Sequence, residues 1–560
     1  MKNGMGTDYD VAILGSGISG SLLAAILAKR GARVVMIDAA AHPKFAVGES
    51  TVGHTSSMLE LLGMQFDIPE FVQLSTFMGA RKHIASAIGI KRGFAFIHHD
   101  KSRPFDLDYS NQLVISPILH GPEAHWYRQD IDAYVAHIAV RYGCDLKQQL
   151  RVKDIDLGLD KVTLVSERNE RITCRYLVDA AGPNSPVARQ QALRDTPTRC
   201  KTHSRSIFTH MIGVKPFDDV LVGAERKPSP VPWFQCTLHH IFDGGWLWVI
   251  PFNNHKWSTN PLCSVGLQLD PRRWPVPEGI TPEQEFNAWL KENPVVERQF
   301  VGARAVREWV SVPRLQYSSK RTIGHRYCLL GHAAGFIDPL FSRGLAGTMM
   351  SVHSLSLRLL EALKDDDFDV SRFETFNRLQ QGLLNHNDEL VNSAFIAFRD
   401  FELWNAFFRV WVVGEAALDF LRLLKAKFQF KETQDERVFH GMDEVPYPGL
   451  LCPDDAAYKK LWDESVASIE AVERGEMSSE DATRFIVQGL QHAQIVSPAL
   501  GLTDPSRHHF DGSSVTDALS AFAWGKLSAP ESIKQRYAGL PAGGMLRMMM
   551  NNIVSAALRS

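Results

Sequence analysis

The chain has 560 residues, too many for one hydrophobic core. Roughly 150 residues per domain predicts three or four units, or fewer if one is a large α/β fold. Apolar residues make up 45% of the chain, and 61 basic against 63 acidic residues leave a net charge of -2. That is a globular composition with material for a sizeable core, and it carries no electrostatic footprint for nucleic acid or an anionic membrane surface.

No run of about 18 uncharged apolar residues is present, so no transmembrane helix is predicted. The N-terminal residues lack the basic region, apolar run and cleavage site of a signal peptide. Cys144, Cys174, Cys200, Cys236, Cys263, Cys328 and Cys452 form no C-x-x-C pair. They read as scattered reduced thiols of a cytoplasmic protein, not a disulfide frame or a zinc site.

Asp10–Leu14 is a short apolar run, predicted as a buried parallel strand. It enters Gly15-Ser16-Gly17-Ile18-Ser19-Gly20, a G-x-G-x-x-G, and the Ala/Leu-rich stretch from Ser21 to Arg30 is helical, with Gly31 ending it. Arg33–Ile37 is a second strand closed by Asp38. This βαβ unit fits a dinucleotide. The glycines allow the turn and a close backbone approach, the helix N-terminus offers N–H donors to a pyrophosphate, and Asp38 accepts from a ribose hydroxyl.

Segments 75–125 and 200–310 alternate apolar and polar residues between Gly and Pro breaks, which predicts a mixed sheet over the nucleotide layer. Arg128 precedes a helical pattern. Tyr176–Gly182 reads as a strand running into a turn, and Tyr327–Leu330 as another short strand. Gly245-Trp246-Leu247-Trp248-Val249-Ile250-Pro251 places two Trp on one side of a strand, and the Pro ends the ladder. Ser393–Trp411 is dense in aromatics at helical spacing, a core helix or the lid of an aromatic pocket. Residues 415–560 read as a helical extension, with adaptable packing or a partner contact at Met548–Met550.

The nucleotide fingerprint, W-x-W-x-I-P and the loop Gly335-Phe336-Ile337-Asp338-Pro339-Leu340-Phe341-Ser342-Arg343-Gly344, in this order, resemble a flavin-dependent halogenase. The resemblance covers roughly residues 8 to 415. The runs GWLWVIPFNNH and GFIDPLFSRG are most similar to the phenol and pyrrole halogenases, particularly those acting on free small phenols. The resemblance implies an α/β fold with α+β insertions. An FAD-binding Rossmann-like domain of the aromatic hydroxylase/halogenase type would span 1–75, 126–200 and 311–370. A mixed-sheet substrate layer would span 76–125 and 201–310, and a helical C-terminal region 371–560.

It also implies the chemistry. Reduced flavin and O2 give a flavin hydroperoxide, chloride or bromide attacks it, and hypohalous acid results. The protein binds, guides and shields that reagent. The FAD contacts implied are Gly15, Gly17, Ser19, Gly20, Asp38, Glu49, Ser50, Arg128, Asp179, Gly182, Asp338 and Gly344. The halide is expected near Arg343, Gly344 and Leu345, with Gly344 freeing backbone N–H groups to face an anion. Trp246 and Trp248 form the wall between flavin and substrate. Lys91, in Gly89-Ile90-Lys91-Arg92-Gly93-Phe94, is the catalytic lysine, with Lys82 its rival. It acts as an ammonium hydrogen-bonded to hypohalous acid or as an amine forming a chloramine. Phe94, Ile118 and Phe341 line the substrate pocket. Tryptophan halogenases carry Glu where this chain has Phe341, which favours a phenolic substrate. His332 stands where related flavin proteins often have Asp, and it is left outside catalysis. Neither His98-His99 nor His239-His240 has a carboxylate at metal spacing, so no metal is expected.

No second G-x-G-x-x-G is present to hold a nicotinamide, so a separate flavin reductase is expected. A homodimer is expected from base rates only. Three alternatives stand beside the free-phenol reading: a carrier-protein-tethered pyrrole or phenol, direct flavin-dependent hydroxylation, and a non-catalytic flavin-binding scaffold.

Overall fold

The computed structural model describes residues 6–114, 121–540 and 543–544. Two sheets organise the fold. The first has eight strands, and its path runs Ile323–Gly324, Tyr327–Leu329, Arg171–Asp179, Tyr9–Leu14, Val34–Ile37, Asp145–Lys147. Tyr9–Leu14 pairs in parallel with both Arg171–Asp179 and Val34–Ile37. Its residues from Val11 to Leu14 are all apolar and buried, as a parallel strand covered on both faces requires. The helix Ile18–Lys29 follows the glycine turn, as the Ala/Leu-rich sequence requires.

The second sheet has nine strands, and its path runs Arg304–Ala305, Arg205–Ile212, Cys263–Leu269, Gly245–Pro251, Cys236–Phe242, Gly93–His99, Ser110–Val114, His509–Asp511. Side chains alternate across it with period two. Phe94, Phe96, Trp246 and Trp248 face one core, shared with the C-terminal helices. Ala95, Ile97, Leu247 and Val249 face another, packed against Phe286 and Trp289. The strand Gly245–Pro251 ends at its proline, as the sequence required.

The last strand lies inside the helical extension read at 415–560, where no strand was expected. His509–Asp511 adds to Ser110–Val114 in parallel and extends the substrate-side sheet. Three residues carry no detectable periodicity, and their pairing depends on the edge they find. Elsewhere the described residues after Ser342 form helices and loops, with long helices at Arg343–Asp365, Glu374–Ala397 and Phe401–Val412. Asp400 caps the last of these through the Leu403 N–H at 2.9 Å. The helix then widens into a π turn over Val413–Asp419 before continuing as Phe420–Thr433. Met548–Met550 and Ile118 lie outside the described residues.

Candidate active site

The nucleotide cradle is built by steric necessity. Gly15 has φ +94°, and a Cβ there would fall 2.6 Å from the Ala180 carbonyl oxygen. A Cβ on Gly20 would fall 2.2 Å from the Gly15 carbonyl oxygen, so only glycine lets the helix approach the strand this closely. A Cβ on Gly17 would meet only Asp132 Oδ2, at 4.0 Å. Asp38 is buried at the end of its strand and accepts from the Ser16 N–H at 2.7 Å, the Ser16 hydroxyl at 2.8 Å and the Lys44 ammonium. Burial raises its pKa, and Lys44 with the Ser16 N–H outweighs that, holding the carboxyl below its ordinary range. Gly17, Ser19 and Gly182 (φ +69°) flank this cradle without filling it. A glycine floor, an open helix N-terminus and an ionised acid suit the pyrophosphate and ribose of FAD.

Arg128 forms a two-toothed pair with Asp132 at 2.7 and 3.0 Å and donates to the Val47 and Gly48 carbonyls at 2.7 and 3.0 Å. It clamps the loop leading to Glu49 and Ser50. Asp179 spends its carboxylate on its own turn, accepting from Ala181 N at 3.0 Å, Ser185 Oγ at 2.6 Å and Val187 N at 3.0 Å. Asp338 is buried beside Ser204, the Leu340 N–H and the Trp246 indole, and burial pushes its carboxyl up to about 7.

Lys91 is fully buried. Its Nζ donates to Ser50 Oγ at 2.8 Å and to the Thr51 carbonyl at 2.6 Å. The ammonium lies 3.6 Å above the Phe94 ring centroid. Burial drives its pKa down to about 7, against the raising pull of Glu123. Glu123 stands directly across from Lys91 in the short sheet Gly89–Lys91/Glu123–His125. Lys91 and Phe94 lie on different strands. The chain breaks at Arg92, whose N–H bonds the Gln235 carbonyl at 2.7 Å, and a new strand begins at Gly93. Lys82 is exposed in the last turn of the helix Phe77–His83.

The two tryptophans pack side by side. Trp246 and Trp248 are buried with ring centroids 5.6 Å apart. Trp248 lies flat across the next strand because its partner there is Gly266, where a Cβ would fall 2.0 Å from the indole. Its Nε1 donates to Ser264 Oγ at 3.1 Å. His239 stacks on Phe96 at 4.4 Å and meets Trp246 at 5.3 Å. Phe341 lies 4.9 Å from the Trp411 ring, and Phe94 meets the same ring edge-on at 5.0 Å.

The loop Phe336–Gly344 ends at the N-terminus of the 23-residue helix Arg343–Asp365, which no side chain caps. Here the geometry corrects a sequence expectation. Ser342 takes the left-handed backbone, φ +55°, whereas Gly344 is helical and is small because His332 Nε2 would lie 3.2 Å from its Cβ. His332 is thus a neighbour of the helix opening. Arg343 pairs with Glu415 at 2.5 Å, both buried, and Leu345 packs into the core.

A cavity of about 410 Å³ opens beside this cluster. Phe94, Leu113, Val52, Gly53 and His54 form its floor. Trp411 from the helix Phe401–Val412, Glu415 and Leu418 from the π turn, and Leu502, Phe510 and Phe522 from the C-terminal region line the rest of it. The aromatic helix therefore serves both readings made from sequence, as core and as pocket wall. His54, Glu415 and Gly266 escaped the sequence reading. His54 follows the Glu49-Ser50 pair closely, a usable signal; the other two depend on strand register and helix widening.

The FAD binding domain family matches residues 8–375. Tetracycline 7-halogenase of Kitasatospora aureofaciens is 48% identical over 504 residues, 90% of each chain. Monodechloroaminopyrrolnitrin halogenase PrnC of Pseudomonas fluorescens is 42% identical over 98% of this chain and 97% of its own. The crystal structure of halogenase PltM in complex with phloroglucinol and FAD superposes with a TM-score of 0.86 at 37% identity, covering 90% of this chain and all (100%) of that one. No helix among the described residues is long and apolar enough to cross a membrane. With its nucleotide cradle, tryptophan pair and buried lysine, the chain belongs to the flavin-dependent halogenases, FADH2- and O2-dependent enzymes that halogenate aromatic substrates in natural-product biosynthesis.

Proposed function

We propose that this halogenase acts on a free phenolic substrate held in the cavity beside Phe94, with Lys91 delivering the halogen. The observation that carries this reading is the pairing of a buried, cation-bearing lysine with a largely apolar cavity, joined through the Phe94 ring.

Reduced FAD, O2 and halide, when bound, supply hypohalous acid. The protein's residues do the rest. Gly15, Gly17, Ser19, Gly20 and Asp38 hold the nucleotide end, and Glu49, Ser50, Arg128, Asp179, Gly182 and Asp338 shape the loops that meet the flavin. The free N–H groups of Arg343, Gly344 and Leu345 receive the halide, aided by the helix dipole. Trp246 and Trp248 keep substrate and flavin apart. Lys91, poised near neutrality, donates to the oxygen of hypohalous acid and leaves the halogen more electrophilic. Phe94 and Phe341 belong to the substrate side. A phenol ring donates its own electron density, so the carboxylate that tryptophan halogenases carry at the Phe341 position is not needed.

The C-terminal lining of the cavity supports a free substrate over a carrier-tethered one. Leu502, Phe510, Phe522 and Tyr537 take up space that a carrier arm would have to share. Relatives whose printed substrate is a pyrrole on a peptidyl-carrier protein are 25% identical over only 68% and 64% of this chain. Seven buried, unpaired cysteines support a reducing, cytoplasmic setting, where a separate flavin reductase supplies FADH2 by diffusion. The test compares a free phenol with the same phenol on a carrier protein, using purified chain, reductase, NADH and halide. Free phenol turning over supports the reading. Only the carrier-bound form turning over defeats it.

A further inference from the structure

His54 lines the cavity from the helix Gly53–Phe66, and its ring is held by one hydrogen-bonding partner alone. His54 Nδ1 lies 2.6 Å from Asp419 Oδ2, and both side chains are buried. Asp419 is fixed in turn by Arg422, at 2.9 Å to both Nε and Nη2. Burial raises the Asp419 pKa, and Arg422 and His54 more than reverse that, so the carboxylate stays ionised. An ionised acceptor at Nδ1 keeps the proton on Nδ1 and the lone pair on Nε2. His54 Nε2 is buried and has no partner among the described residues. Beside it on the cavity wall stands Glu415, whose Oε2 is taken by Arg343 and whose Oε1 is buried and unpartnered. Trp411 lines the same wall with a buried, unpartnered indole N–H. A largely apolar cavity lined by three side chains that each carry a buried, unpartnered polar atom suits a ligand with polar groups of its own. Glu415 and Asp419 are four residues apart on a π turn, a helix defect that recurs at functional sites.

We propose that His54, oriented by Asp419, is the general base that accepts the hydroxyl proton of the aromatic substrate as the ring attacks the halogen. This rests on the phenolic reading above. The ring carbon forms its bond to the halogen as the halogen–oxygen bond of hypohalous acid breaks. The phenolic proton goes to His54 Nε2, and the departing hydroxide takes a proton from the Lys91 ammonium and leaves as water. The ring is then a halogenated dienone. Its sp3 carbon loses its proton to the Lys91 amine, His54 returns its proton to the oxygen, and the ring is aromatic again. The sum is ring C–H plus hypohalous acid giving ring C–halogen plus water, with both residues restored. General-base assistance of this kind is worth about 10²–10⁴-fold.

The test uses the FAD-loaded full chain with a reductase and two substrates. One is a weakly acidic phenol; the other is a fluorinated phenol already ionised at the assay pH. His54→Gln is predicted to lose at least about 100-fold in kcat on the first and to stay within a few-fold of wild type on the second. The pre-ionised substrate thereby shows that the variant is folded and its halogen supply intact. Asp419→Asn, which keeps His54 but loosens its tautomer, is predicted to show the same selectivity with a smaller loss. In wild type, the O-methyl ether of the weakly acidic phenol is predicted not to turn over. Equal activity of His54→Gln on both phenols, whether unchanged or lost in proportion, overturns the role of His54 while wild-type turnover leaves the phenolic reading in place. Wild type halogenating neither phenol removes both.

Discussion

Replacing Lys91 by Met keeps the length of a buried side chain and removes its charge. The ammonium is fully buried, and its pKa falls from 10.5 to about 7. A shift of that size corresponds to about 4–5 kcal/mol of burial cost at ~1.36 kcal/mol per pH unit. The substitution also removes two hydrogen bonds, to Ser50 Oγ and the Thr51 carbonyl. Ser50 keeps its bond to Thr237, so the loss is at the low end of about 1–3 kcal/mol per group. The net expectation is a variant about 1–3 kcal/mol more stable at pH 7 that no longer halogenates. The sign of the pH dependence follows from the depressed lysine pKa. Between the folded value near 7 and the unfolded value of 10.5, the unfolded chain binds the extra proton. Wild-type stability therefore rises with pH through that window, and the gap to Lys91→Met closes. Thermal unfolding at pH 7 and pH 10, paired with product mass spectrometry, reads all three effects. A variant that unfolds at lower temperature and still halogenates refutes the reasoning.

Gly266→Ala drives a Cβ to 2.0 Å from the Trp248 indole, so the ring must swing away. It is predicted to cost about 1–3 kcal/mol of stability and to let hypohalous acid reach a soluble trap that wild type leaves unreacted. Arg343→Met strands the buried Glu415 carboxylate. A loss of about 3–5 kcal/mol in chemical denaturation, with a raised KM for halide, is expected. Asp419 has a pKa held below the ordinary carboxylate value, so its stabilisation is present above about pH 4 and lost as pH falls further. Asp419→Asn is therefore predicted to be destabilised at pH 7 and to converge on wild type in acid unfolding curves.

The nucleotide half was legible in the sequence because its constraints are local. The strand, glycine turn and helix occupy the 21 residues from Tyr9 to Lys29, and Gly20 answers to a contact inside that unit. The tryptophan pair was legible for the same reason, since period-two alternation puts Trp246 and Trp248 on one side without any knowledge of partners. The pairing of Lys91 with Glu123 was not, because it depends on which strand Gly89–Lys91 finds. Nor was the break at Arg92, set by a neighbouring backbone at Gln235. The cavity walls were least legible. Glu415 and Asp419 look like the solvated face of an ordinary helix until the helix widens and turns them against Arg343 and His54. The strand His509–Asp511 likewise has meaning only beside the sheet edge it completes.

The most direct test of the central claim is product mass spectrometry on wild type and Lys91→Ala under one supply of reduced FAD, O2 and halide, with oxygen uptake followed in parallel. The account predicts a halogenated phenol from wild type only, with both proteins consuming oxygen. A halogenated product from Lys91→Ala at the wild-type rate, or a hydroxylated product indifferent to halide from either protein, would contradict it.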